Sequence, residues 1–192
     1  MNKKLIIAMI LCTNVSANEI YIEQVGSVSD ITITQAGLDN KIGSAITPTF
    51  IGGDSGTVTI TQTGARNILN SVTNGNNMNI TLSYTGDDNE ETITCGATTA
   101  VTCNNTTITR TILGDLNTIV TNVKATTTSI MTVTGNDNTI THNSTSSGVV
   151  SAELTLTGNQ NTIDLIQQGT LDKSIKVDSQ GSNNNISITQ HN

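Results

Sequence analysis

Ile31-Thr32-Ile33-Thr34-Gln35-Ala36-Gly37-Leu38-Asp39-Asn40 returns further along the chain as Val58-Thr59-Ile60-Thr61-Gln62-Thr63-Gly64-Ala65-Arg66-Asn67. In both stretches aliphatic residues alternate with threonine, and Gln-x-Gly-x-x-Asn follows. Alternation with period two marks a strand with one face in and one face out. Glycine and asparagine tolerate the left-handed backbone of a tight bend. The unit therefore reads as strand, bend, strand.

The bend recurs along the whole chain. Seven pairs fit Gly-x-x-Asn: Gly37/Asn40, Gly64/Asn67, Gly86/Asn89, Gly114/Asn117, Gly135/Asn138, Gly158/Asn161 and Gly181/Asn184. Gly26, Gly75 and Gly169 keep the beat with Ser29, Met78 and Asp172 in the asparagine slot. Several steps between these glycines are of eleven residues; others are near 22 or 27. Five residues past each paired glycine stand Ile42, Leu69, Glu91, Ile119, Ile140, Ile163 and Ile186, all aliphatic but Glu91. Gln24, Gln35, Gln62 and Gln167 each precede a repeat glycine by two, and Gln190 continues the phase.

A bend every eleven residues leaves room for a strand of about six, and two strands make a coil of about 22 residues. The expected fold is all-β: a flattened β-solenoid in which each strand pairs with its equivalent in the next coil. Inward aliphatic residues would form columns. The five glutamines would form amide ladders, each side chain donating and accepting along the stack.

Composition agrees. The chain has 192 residues, but only 2% are aromatic and there is no Trp. That excludes a core of the usual bulky kind. Frequent Ile, Val and Thr, with charge at only 12%, disfavour disorder. A formal net charge of -7 argues against a nucleic-acid partner.

Residues 1–17 read as a signal peptide. Lys3 and Lys4 are followed by the apolar run Leu5 to Cys12, and Val15-Ser16-Ala17 offers small residues before a cut at Asn18. The run is too short to span a bilayer. Leu11 before Cys12 is too large for a lipidation site. Residues 18–192 then form one domain, with insertions expected near 43–56, 95–104 and 143–150. In an exported chain the pair Cys95 and Cys103 reads as a disulfide.

At these residues the chain resembles the curlin repeat of curli fibre subunits, Ser-x5-Gln-x-Gly-x-x-Asn-x-Ala-x3-Gln. Gln24-Val25-Gly26, Gln35 to Asn40 and Gln62 to Asn67 match best; Gln167-Gln168-Gly169 and Ile186 to Gln190 match partially. The Ser and Ala positions are not kept regularly, and Tyr84, Ile112, Val133, Leu156 and Ser179 replace Gln in the middle. The resemblance implies a secreted bacterial cell-surface protein that assembles into functional amyloid fibres, here as a minor or nucleating subunit. It implies other copies or curlin-like subunits and the outer-membrane secretion machinery as partners. It implies no cofactor, catalysis or membrane insertion.

The remaining candidates carry weaker signals. Asp87-Asp88-Asn89-Glu90-Glu91 is acidic enough to suggest calcium, but a solvated turn explains it better. His142 and Arg110 fall in inward slots; for Arg110 either the strand is bulged or this coil is irregular. No Ser-His-Asp or Cys-His spacing accompanies His142, and no cleft of clustered charges suggests a polysaccharide lyase. Thr-x-Thr recurs at Thr32/Thr34, Thr59/Thr61, Thr92/Thr94, Thr109/Thr111, Thr132/Thr134, Thr139/Thr141 and Thr155/Thr157. Such rows suit a solvent-facing strand. They also resemble the ice-binding faces of some antifreeze proteins, which gives the alternative reading: a monomeric solenoid that binds ice or glycan. The insertions are expected to interrupt that face.

Overall fold

The computed structural model describes the chain apart from residues 1–3, 12–18, 25–28, 97–102, 124–126, 146–148, 169–171 and single positions 38, 45, 47, 65, 87, 115, 136, 159, 182 and 192; residues 4–11, 24 and 29 are described by backbone alone. The described residues are all-β. Strands are numbered in chain order. One sheet has eight strands: β1 (Lys4–Leu11), β4 (Ser29–Ala36), β7 (Thr57–Thr63), β9 (Asn79–Thr85), β11 (Thr106–Leu113), β13 (Thr127–Thr134), β15 (Val150–Thr157) and β17 (Lys173–Gln180). The other has ten: β2 (Glu19–Ile20), β3 (Glu23–Gln24), β5 (Lys41–Ile42), β6 (Thr49–Gly52), β8 (Ile68–Asn74), β10 (Glu90–Cys95), β12 (Thr118–Val123), β14 (Thr139–Ser144), β16 (Thr162–Gln167) and β18 (Asn185–Gln190).

Every pairing is parallel, and the chain alternates between the sheets, so the architecture is a β-solenoid. The segment read as a leader, Lys4–Leu11, pairs along β4 in the full-length chain. Sheet parity follows the sequence pattern. On the inward side Ile33, Ile60, Leu82, Met131 and Leu154 lie in one column, interrupted by Arg110, and Ile42, Leu69, Ile119, Ile140 and Ile163 in another, interrupted by Glu91; these aliphatic residues are all at most 3% exposed.

The two arcs of each coil differ in kind. From β4 onward, the arc from the eight-stranded to the ten-stranded sheet is Gly-x-x-Asn, four residues long. The return arc absorbs the variation in length, including the insertions around residues 95–104 and 143–150. The 43–56 insertion is not loop throughout: residues 43–48 lie between β5 and β6, where Ile46 is 94% exposed, Thr49–Gly52 is β6 itself, paired with β3 and β8, and residues 53–56 belong to the return arc. Cys95 and Cys103 form a disulfide across the return arc after β10, with both cysteines fully buried and Cα atoms 5.7 Å apart. That separation is ordinary for a disulfide.

Why the constant arc needs glycine is a matter of contact. A Cβ on Gly64 would overlap the carbonyl oxygen of Gly37, and the same holds for Gly86 over Gly64, Gly114 over Gly86, Gly135 over Gly114, Gly158 over Gly135 and Gly181 over Gly158. Gly86 also has φ +154°. Each turn amide donates to the next coil, for example Gly64 N–H to Thr85 O at 2.8 Å and Gly114 N–H to Thr134 O at 3.0 Å. Gly86→Ala is therefore expected to lower stability by more than ~1 kcal/mol, whereas Ile46→Ala leaves it unchanged. Urea unfolding of the two variants checks this.

Candidate functional site

The asparagine of each constant arc has a role different from the one its residue type suggests. Asn40, Asn67, Asn89, Asn117, Asn138 and Asn161 are buried, and none has a positive φ; where a non-glycine residue of this arc does, it is the one before, Asp39 (57°) or Asn183 (60°). The asparagine is selected for its amide. Asn40 Nδ2 donates to Gly37 O at 2.8 Å and to Thr63 O at 3.1 Å. Asn67 Nδ2 donates to Gly64 O at 2.9 Å and to Asn89 Oδ1 at 3.1 Å. Asn138 donates to Asn117, and Asn161 to Asn138, both at 2.8 Å. This column links successive coils.

Asn184, expected as the seventh member, departs from it. It lies in the last arc, after Gly181, but is only half-buried, and its Nδ2 donates to Ser179 Oγ at 2.8 Å instead of reaching back to Asn161. Two features explain the change. Ser179 stands where the three preceding coils carry Ile112, Val133 and Leu156, so it offers a hydroxyl acceptor that those coils lack at this position. The arc also joins β17 to β18, and among the described residues no further arc covers the amide and holds it in line. The asparagine column therefore ends at Asn161.

The glutamines do less than expected. Gln62 donates to Gln35 at 2.8 Å in the eight-stranded sheet, and the column then passes to Tyr84. Gln167 and Gln190 are neighbours on the other sheet, where Gln190 is exposed, so the glutamines do not form one ladder. The backbone of Gln24 pairs in β3, again on the ten-stranded sheet. Gly26 and Gly169 lie outside the described residues. Gly75 packs its backbone against Gly53 O in the return arc.

The two inward charges that break the pattern are partners. Arg110 Nε donates to Glu91 Oε1, and Arg110 Nη1 donates to Ser129 Oγ at 2.9 Å. Both side chains are at most 2% exposed. The strand of Arg110 is not bulged: β11 pairs with β9 and β13 without a slip. Tyr84 shares this interior, and burial raises its hydroxyl well above its ordinary pKa. Burial also raises Glu91, with Arg110 opposing.

His142 sits two coils further on, buried, with its pKa lowered to about 4 by burial first and by Arg110 second. Neither ring nitrogen makes a hydrogen bond of good geometry, although the amide of Gln167 lies close enough to favour the charged ring. The acidic cluster disperses. Glu91 turns inward and Glu90 outward, Asp88 pairs with Arg66 at 2.7 Å, and Asp87 lies outside the described residues. Among the described residues no group of three His, Cys, Asp or Glu is placed to hold a metal ion.

The outer face of the eight-stranded sheet is more regular than expected. Thr34, Thr61, Ser83, Thr111, Thr132 and Thr155 are consecutive register partners from β4 to β15. Thr32, Thr59, Thr81 and Thr109 form a second rank, and Thr63 and Thr85 begin a third that resumes at Thr134 and Thr157. The insertions lie in the return arc and in the other sheet, so they leave these ranks intact. In comparisons with known proteins, no family model, curated protein or solved structure matched the chain.

Two outcomes follow from the buried polar groups. Breaking a buried pair strands a charge, whereas replacing both partners by apolar residues is often neutral. Arg110→Leu alone is expected to cost about 3 kcal/mol, and Glu91→Ile with Arg110→Leu to recover most of it; chemical denaturation of the single and double variants decides. For His142, the unfolded ring binds a proton below its ordinary pKa of 6.5, while the folded ring stays neutral to about 4. Its contribution is present above pH 6.5 and is lost as pH falls toward 4, by roughly 3 kcal/mol at most. Glu91 acts with the opposite sign, its contribution shrinking as pH rises. His142→Thr, matching Thr121 in the same column, should flatten the loss between pH 6.5 and 4 in melting experiments.

Proposed function

We propose that this chain is a secreted, non-catalytic structural protein: a curlin-like subunit, minor or nucleating, of extracellular amyloid-type fibres used for adhesion or biofilm matrix. The observation that carries this reading is the uncovered face beyond β17 and β18. Ile186 and Ile188 stand in the inward columns directly after Ile163 and Leu165. The latter pair are 1% and 2% exposed; Ile186 and Ile188 are 45% and 49% exposed. Among the described residues β17 and β18 each pair on one side only. An unpaired parallel edge over an apolar column is a template for another coil.

Magnitudes favour a whole-coil contact. Fully burying an isoleucine is worth roughly 1.5–3 kcal/mol, so covering two half-exposed ones yields on the order of 2–3 kcal/mol. Association costs about 4–15 kcal/mol, so those side chains alone do not hold two copies together. The backbone hydrogen bonds of both edges and the continuing columns supply the rest. Elongation should therefore be cooperative and nucleated.

The test is to incubate the purified chain and follow thioflavin fluorescence, with diffraction for a cross-β repeat. Fibres are expected, and Ile186→Lys with Ile188→Lys should abolish them while leaving the melting transition in place. A wild-type chain that stays monomeric at high concentration would sink the reading.

A further inference from the structure

The geometry points to a second surface: the threonine-ranked outer face of the eight-stranded sheet binds ice. The rank from Thr34 through Ser83 to Thr155 crosses six strands in register. Strands are spaced ~4.8 Å apart and like-facing residues ~6.7 Å along a strand, so the hydroxyls and methyls lie on a two-dimensional lattice. The parallel pairing without slips keeps that lattice in phase. Threonine side chains are stiff at χ1, so little rotamer freedom is lost when they meet an ordered surface.

The chemistry of the face selects the occupant. From β7 to β13 the outward positions carry no charge; they are Thr, Ser and Asn with Leu113 and Ile130. A phosphate-rich or charged partner has nothing to pair with there. Sugar rings are commonly held by aromatic faces. The chain's three aromatic residues are elsewhere: Tyr84 is buried, and Tyr21 and Phe50 belong to the other sheet's side. A neutral lattice of hydroxyls and methyls matches water held in a fixed array, as at the surface of ice. Liquid water has no such array, so the preference is for the solid. Stacking of copies would lengthen the ranks, but a single chain already presents them, so the inference stands independently of fibre formation.

The experiment measures thermal hysteresis and ice-crystal shape with the purified chain. Faceted crystals and a hysteresis gap are expected. Thr111→Lys with Thr132→Lys should abolish both. Thr118→Lys with Thr139→Lys, equally exposed on the ten-stranded sheet, should abolish neither. Circular dichroism confirms that each pair folds. Should the first pair fail to fold, Thr132→Tyr, bulky yet suited to a strand, gives the same reading. The inference is overturned if the wild-type chain grows unshaped crystals with no hysteresis, if the control pair loses as much, or if the face retains the chain on crystalline polysaccharide with no effect on ice. None of these outcomes alters the thioflavin result, so the two proposals fail separately.

Discussion

The contact between the backbones of successive Gly-x-x-Asn arcs sets everything else in this molecule. One strand spacing separates each coil from the next, about 4.8 Å. At that distance a turn carbonyl lies where the next turn's Cβ would be, so only glycine fits. The same closeness places one asparagine amide over the next and over the glycine carbonyl. An amide buried without a partner costs free energy. The arc therefore stabilises the stacked state and penalises a register slip, since a slip would orphan the asparagine as well as clash at the glycine.

A fixed arc on one side permits variation on the other. Because each coil from β4 onward is re-registered at its Gly-x-x-Asn corner, the return arc can gain residues without shifting the next strand. The disulfide between Cys95 and Cys103 closes one such enlargement. The strands of the eight-stranded sheet consequently keep their threonines in line, although the coils differ in length. The core is thin, and a polar group within it costs least in a pair or a column. Glu91 with Arg110 and Gln35 with Gln62 follow that rule. His142 meets it differently, by remaining neutral.

Strand parity and the glycine beat made the solenoid legible, because both are local in sequence and each dictates a backbone geometry. The role of asparagine was not legible. Its residue type suits both a left-handed bend and a side-chain hydrogen bond, and only the position of the neighbouring coil distinguishes them. Asn184 shows the same limit: its motif is intact, yet its amide turns to Ser179 within its own coil. The glutamines suggested more continuity than exists, since residues in equivalent half-repeats alternate between sheets and are not neighbours. Glu91 and Arg110 looked like two separate irregularities. They are far from adjacent in sequence and sit on opposite sheets, so only the closed coil brings them together. The alignment of the threonine ranks was hidden for a related reason: the insertions are visible in sequence, but the arc that absorbs them is not.

The claim beneath all of this is that each coil advances by one strand spacing with no slip. Spin labels introduced in pairs at Thr34 with Thr111, Thr34 with Thr132 and Thr34 with Thr155 measure it by pulsed electron resonance. These positions lie three, four and five rungs apart in the pairing register. The account predicts separations near 14, 19 and 24 Å, growing by about 5 Å per rung, with narrow distributions. Distances that do not grow by one rung at each step, or broad distributions without a dominant value, would contradict it.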